Sequence, residues 1–529
     1  MARRGLLGSH GAASAGPLLA APQARDFRMP LSPKSFLALA LLILAGAPAA
    51  CAAPPAQPPT AAPRSTPAQA DLDHLYKALQ ASHYDLFAHR PRAEYDALYR
   101  RMRGQLETSA LGQDDLRREL QRFVAYGNVA HASIDPPMAE WEAYRSAGGG
   151  AFPLGLRVVG ERVFVQDDYS GVEAIAPGDE VRSIDGVPVL EWLGRVRTLV
   201  SADNDYLAYT QLEMRLPMLV WWLGDRAAQY VVETATPGGG HHRVTVPARS
   251  RAEFEAAAAA APARFEPDWN ERVARVTEDG IGYLRPGPFY DNRANSTNPW
   301  DPSAFRAFID EAFTRFIEAE AGAVLIDLRN NPGGDNSFSD PMIAWFADEP
   351  FRFSPEFDIR VSEAASASNT KRLEATGMDP ESTSAKLAAV YAGKPAGSRV
   401  SFPIPLVQPR SGERFTKQVY LLINRHSYSN AVLVAAIGQD YGFATVLGEE
   451  TADLTSTYGA AEKFKLPHSD IEVTFPKARI LRPNGDPSPR GVVPDIPIRM
   501  PVIPTETDVV LDAALQEVLK SSPREPDRR

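Results

Sequence analysis

Cysteine is nearly absent: Cys51 is the sole one in 529 residues. A single cysteine cannot close an internal disulfide, so folding does not depend on oxidation. No CxxC, no HExxH and no Cys/His cluster occurs, which leaves a zinc or iron–sulfur centre without visible ligands. Chemistry without metal or cofactor is therefore expected. Positive charge is also in short supply. Lys and Arg number 56 against 66 Asp and Glu, a formal charge of -10, and phosphate binding needs a basic surface. That balance argues against a nucleic-acid partner. Long apolar runs are missing too, and the run from Phe36 to Leu44 is too short to span a bilayer well. What remains is ordinary globular composition, 44% apolar and 23% charged, in a chain long enough for two or three domains.

Residues 29–53 read MPLSPKSFLALALLILAGAPAACAA: a lysine, an apolar stretch, then small residues. This is the grammar of a secretory signal, predicted here over 1–52, with Met29 as the true start. It implies export to the periplasm or cell envelope. Cys51 stands where a lipoprotein signal places its acylated residue, but Pro48 occupies a position where such signals prefer leucine. A lipid anchor at Cys51 stays open. Residues 53–70, rich in Pro, Ala and Thr, read as a flexible linker.

From 71 to 150 the chain reads as a helical segment. LDHLYKALQ, EYDALYRRMRGQL and QDDLRRELQRFVAYG carry apolar residues at three- and four-residue steps. GNVAHASIDPP follows, with His131 in a loop-like context. Between 151 and 250 the pattern turns to short β runs, LGLRVVG, RVFVQDD and APGDEVRSIDGVPV, the last a strand, a tight Asp–Gly turn and a strand. Trp221 and Trp222 fit either a core or a partner surface. From 271 to 505 strand-length apolar runs (GIGYLRP, AVLIDLR, KQVYLLIN, ATVLGEE) alternate with helical ones, which predicts an α/β layered domain. Residues 506–529 close the chain as a helix and polar tail.

The chemistry-bearing residues fall at two strand-to-helix crossings. KQVYLLIN runs through the turn RHSY into a helix beginning at Ser429–Asn430. A serine there has its hydroxyl beside free helix N–H groups, where developing negative charge is favoured. Such a junction suits a nucleophile, although a plain helix cap would look the same in sequence. At the second crossing AVLIDLR runs into NNPGG, and Gly333–Gly334 expose backbone N–H groups free of side-chain bulk. Those amides can cradle an oxyanion, or the turn can simply close a βα connection.

Taken together, these segments resemble known families. GDEVRSIDGVPV resembles the core of a PDZ domain, which captures extended peptides by strand addition. VLIDLRNNPGG, NRHSYSNAVLVAAIGQDYGFATVLGEET, FKLPHSDIEVTFP and GVVPDIPI, in that order over 324–498, resemble the tail-specific (C-terminal processing) serine peptidases and the related tricorn core protease. The resemblance implies an N-terminal helical segment, a PDZ-like β domain and a crotonase/Clp-like β/α catalytic core. It implies Ser429 as nucleophile, Ser427 as a structural neighbour, and Asn430 with Gly333 or Gly334 as oxyanion donors.

The sequence departs from this pattern where many relatives carry a lysine base, since that position holds Leu454. The tricorn-like branch uses histidine from the segment before the PDZ-like part, which points to His131 as base. The carboxylate that would orient it falls near Ser488, making Asp486 the candidate. The glutamate that follows the serine in many relatives is replaced by Val432. The expected function is an exported serine peptidase cleaving polypeptides, C-terminal tails included. A non-catalytic ligand- or peptide-binding protein on the same fold is the alternative. The oligomeric state is not legible.

Overall fold

The apolar runs AVLID and QVYLLI form adjacent parallel strands, Ala323–Asp327 and Gln418–Ile423, in the middle of a six-stranded sheet. Alternate residues of these strands feed opposite faces. Val324, Ile326, Val419, Leu421 and Ile423 join one core with the helices Ser303–Glu318, Asn336–Ile343 and Asn430–Asp440. Ala323, Leu325, Tyr420 and Leu422 join another with the C-terminal helix Val509–Ser521. A parallel strand covered on both faces must be apolar along its whole length, hence the unbroken runs. The other parallel members are Ile281–Arg285, Thr445–Gly448 and Ile496–Pro497, and Val273–Val276 pairs antiparallel at one edge. The computed structural model describes residues 65–108, 111–375, 377–380 and 382–521. The expected signal segment, Cys51 and most of the linker lie outside them.

The expected α/β class is borne out, with two further sheets. Residues 151–249 build an antiparallel one: Leu154–Val159, Arg162–Asp168, Glu180–Ile184, Gln229–Ala235 and His241–Pro247, in that spatial order, with Val187–Pro188 beside Glu180–Ile184. Asp185 and Gly186 turn with positive φ, 51° and 74°, as a tight hairpin turn requires. Helix Asp205–Leu223 packs on this sheet, and Trp221 and Trp222 are buried in its core. The third sheet is antiparallel and four-stranded, including the hairpin Thr457–Lys465 and Glu472–Ile480.

The N-terminal helices Pro67–Ser82, Arg92–Thr108 and Gln113–Ala125 are not a free-standing bundle. Their apolar faces share a core with Leu466, Ile471, Val473 and Phe475 of that distant hairpin. The first helix begins at Pro67 behind a Thr66/Gln69 capping box, ahead of the expected start at Asp71, because Pro fits the first helical turn. After the third helix, Ser133 exchanges two backbone hydrogen bonds with Thr474, at 3.0 and 2.8 Å, which fixes the loop carrying His131.

Candidate active site

Three parallel strands end side by side, and the chain segments after them converge at one edge of the sheet. Carboxyl ends of parallel strands are where α/β folds build their sites. The segments are 328–334, 424–429 and 449–453. Asn424 and Asn330 stitch the first two together: Asn424 Nδ2 donates to Asn330 Oδ1 at 2.8 Å, and Asn330 N–H donates to Asn424 Oδ1 at 3.1 Å. Ser427 Oγ accepts from Asn424 N–H at 3.1 Å and donates to Leu328 O at 2.8 Å. Its fully buried hydroxyl is committed to the turn.

Ser429 ends this turn with φ 54° and ψ -120°. A non-glycine residue in this region stores strain, which persists where surroundings impose it. Ser429 stands at the cap position of Asn430–Asp440, yet its side chain makes no cap hydrogen bond. Nor is its hydroxyl a sealed, unpartnered atom. A serine kept only as a helix cap would accept an N–H from the first turn, and this one does not.

The glycine turn presses directly on the serine. A Cβ on Gly333 would fall 2.6 Å from Tyr428 O, 2.7 Å from Asn430 N and 2.9 Å from Ser429 Cβ. Only a glycine permits that approach, and φ of 81° favours one as well. Gly333 N–H is engaged by Asn331 Oδ1 at 2.9 Å. Phe289 holds the other side of the loop, donating to Gly333 O and accepting from Asp335 N–H, both at 2.9 Å. Among the described residues, the N–H groups of Gly334 and Asn430 donate to no internal acceptor. Of the two glycines singled out in sequence, Gly334 thus has the open amide.

His131 reaches this place from some three hundred residues upstream in sequence. Its ring stacks on that of Tyr428, the residue before Ser429, with centroids 5.5 Å apart and planes 23° from parallel. Asp203 Oδ2 accepts the neighbouring Ala130 N–H at 3.2 Å. The Nδ1 atom of His131 is buried and has no hydrogen-bond partner, and no hydrogen bond joins the imidazole to the serine hydroxyl among the described residues.

A carboxylate that the sequence reading passed over completes the group. Asp453, 1% exposed, accepts the backbone N–H of Ser429 at 2.6 Å and that of Leu454 at 3.0 Å. Burial pushes its pKa up to about 6, opposed chiefly by the charge of His131 and the Ser429 amide. Asp486 is placed differently. Its carboxylate accepts the Ser488 N–H at 2.9 Å and is held below its ordinary range by Ser488. None of its hydrogen bonds reaches His131. The signal for Asp453 was its position just past a parallel strand, one residue before Leu454. Leu454 and Val432 are core residues, 4% and 0% exposed.

Residues 280–498 match the model of peptidase family S41. The chain carries a serine-type peptidase domain. No curated protein matches it by sequence. Among solved structures, mature CPAF is 16% identical, with a TM-score of 0.56 over 86% of this chain and 95% of that one. Its complex with lactacystin is also 16% identical, with a TM-score of 0.55 over 86% and 96%. At such identity these likenesses establish the fold alone. The photosystem II D1 C-terminal processing protease aligns more loosely, at 15% identity and a TM-score of 0.40 over 83% and 95%. No described helix is long and apolar enough to cross a membrane.

Proposed function

We propose that this protein is an exported serine peptidase that cleaves polypeptides, C-terminal tails included, through an acyl-enzyme on Ser429. The observation that carries this reading is the gathering of His131, from far upstream, and Asp453, from the next strand end, around the strained, open Ser429. In the proposed reaction the imidazole of His131 takes the Ser429 proton as the oxygen attacks a peptide carbonyl. The N–H groups of Asn430 and Gly334 hold the oxyanion, each worth ~3–4 kcal/mol of barrier lowering. His131 returns its proton to the leaving amine, and water then hydrolyses the ester. Asp453 takes the role assigned in sequence to Asp486, stabilising the imidazolium. With Leu454 where relatives carry lysine, the chain would belong to the histidine-using, tricorn-like branch.

Residues 151–250 are proposed as a PDZ-like module, supported by the Asp–Gly hairpin and the antiparallel order of the sheet. Export rests on the leader sequence, with the periplasm or cell envelope as destination.

The test is acylation of the mature protein by a fluorophosphonate probe, alongside Ser429→Ala and His131→Ala. Labelling of wild type that is lost in both variants is the expected result. A folded wild type that resists the probe would make the non-catalytic binding protein the correct reading.

A further inference from the structure

Leu154–Val159 lies at the edge of its sheet, and among the described residues Arg162–Asp168 is its sole strand partner. An open edge offers N–H and C=O groups to any extended chain, which is both an aggregation hazard and the means of peptide capture by strand addition. At Val158 both outward groups are already taken. Its N–H donates to Glu213 Oε1 at 3.0 Å, and its carbonyl accepts from Arg425 Nη1 at 2.9 Å. The same Nη1 donates to Glu213 Oε1 at 2.9 Å. Both side chains are nearly sealed, 6% and 4% exposed.

The two residues come from different parts of the molecule. Glu213 lies on Asp205–Leu223, within the 151–249 segment. Arg425 lies in the turn that leads from Gln418–Ile423 to Ser429. On its far side Arg425 is gripped by Glu449, through Nη2 at 2.8 Å, Nε at 3.2 Å and its own backbone N–H at 3.3 Å. The Tyr206 ring lies 5.2 Å from the guanidinium, and the Tyr206 hydroxyl donates to Glu450 O at 3.1 Å. One arginine therefore ties the edge strand, the helix beside it and the nucleophile turn into a single buried network.

A buried ion pair is a weak source of net stability, because desolvation offsets most of the attraction. Its forked geometry nevertheless specifies where each partner must sit. We propose that the Arg425–Glu213 pair closes the Leu154–Val159 edge to strand addition, and that Arg425 is a positioning residue for Ser429. The second clause rests on the peptidase reading above, whereas the first does not. A peptide strand docking at Val158 must displace the guanidinium, which strips Glu213 of its partner and loosens the turn just before the serine. An extended peptide at this edge therefore opposes acylation.

The experiment compares the full mature chain with Arg425→Met and with the double variant Glu213→Gln/Arg425→Met. The double variant removes both charges of the pair, so Glu213 is not left buried and unpaired, while Glu449, 20% exposed, keeps Arg157 at 3.8 Å. Three readouts are taken: fluorophosphonate acylation, resolved into probe affinity and maximal rate; binding of a fluorescent extended apolar peptide with a free carboxylate; and the melting temperature. Arg425→Met should melt lower than wild type and acylate about tenfold more slowly at unchanged probe affinity. The double variant should melt above Arg425→Met yet below wild type, since Glu449 still lacks Arg425, and should stay slow in acylation and acquire peptide binding. A folded double variant acylating at the wild-type rate would overturn the positioning role. Wild type binding the peptide as tightly as the double variant would overturn the closure. A wild type that never acylates would refute the peptidase reading instead, and the peptide arm would still decide the closure.

Discussion

Asp453→Asn separates the site's chemistry from its stability, because the two should move in opposite directions. The change keeps the shape of a side chain that is 1% exposed and retains one oxygen for the Ser429 N–H. In the wild-type fold burial raises this acid from 3.8 to about 6. A raised folded pKa favours the protonated form, so stability from this group is complete below pH 3.8 and declines as pH climbs toward 6. Two pKa units correspond to about 3 kcal/mol at neutral pH. Asparagine carries no such charge but turns its NH2 toward the Leu454 N–H, which costs about 1–3 kcal/mol, so the variant should be at most about 2 kcal/mol more stable at pH 7. Acylation should fall, since an asparagine beside His131 cannot stabilise an imidazolium. The corresponding change in a Ser-His-Asp triad costs about 10⁴-fold. The present carboxylate is mostly ionised at pH 7, so the loss should lie at about 10²–10⁴-fold. Wild-type acylation should also weaken as pH drops through about 6, where Asp453 takes up its proton, and the variant should lack that contribution. Acylation kinetics from pH 5 to 8, with melting curves across the same range, measure both effects. A variant that acylates within about threefold of wild type refutes this role for Asp453.

Ser429→Gly should abolish acylation while raising stability by about 1 kcal/mol in thermal melts, since glycine occupies φ 54° without strain. His131→Ala should slow acylation by about 10²–10⁴-fold with the melting temperature little changed, as the ring is only partly buried. Gly333→Ala should lose acylation and stability together, because its Cβ falls within 2.6–2.9 Å of Tyr428, Asn430 and Ser429. Arg329→Met should destabilise the fold by about 1–3 kcal/mol in denaturant titration, because Asp508 loses its cation and buried Asp327 is left with Arg285 and Tyr283 alone.

What sequence made legible here is what one strand or one turn determines alone. The runs AVLID and QVYLLI announced the strands of an α/β layered domain, and Asp185–Gly186 announced a hairpin in the 151–249 sheet, because periodicity and turn chemistry act over a few residues. The N-terminal helices were readable as helices but not as partners of a hairpin at 457–480, since an apolar face does not name what covers it. Trp221 and Trp222 posed the same difficulty, and the structure answers it with a core.

The third member of the proposed catalytic group shows the limit most sharply. Asp486 was favoured by its place relative to a family motif, a one-dimensional criterion. Asp453 is favoured by a three-dimensional one: Thr445–Gly448 lies parallel to Gln418–Ile423, so the segments after both strands must meet. Parallel pairing of sequential strands is itself predictable, and an acid five residues past such a strand end is a testable candidate without any structure. The same rule would have pointed to Glu449 beside Arg425. Neither rule nor resemblance foretells that Arg425 also fills the edge of the 151–249 sheet. That contact joins segments whose separate patterns carry no trace of each other, and only packing brings them together.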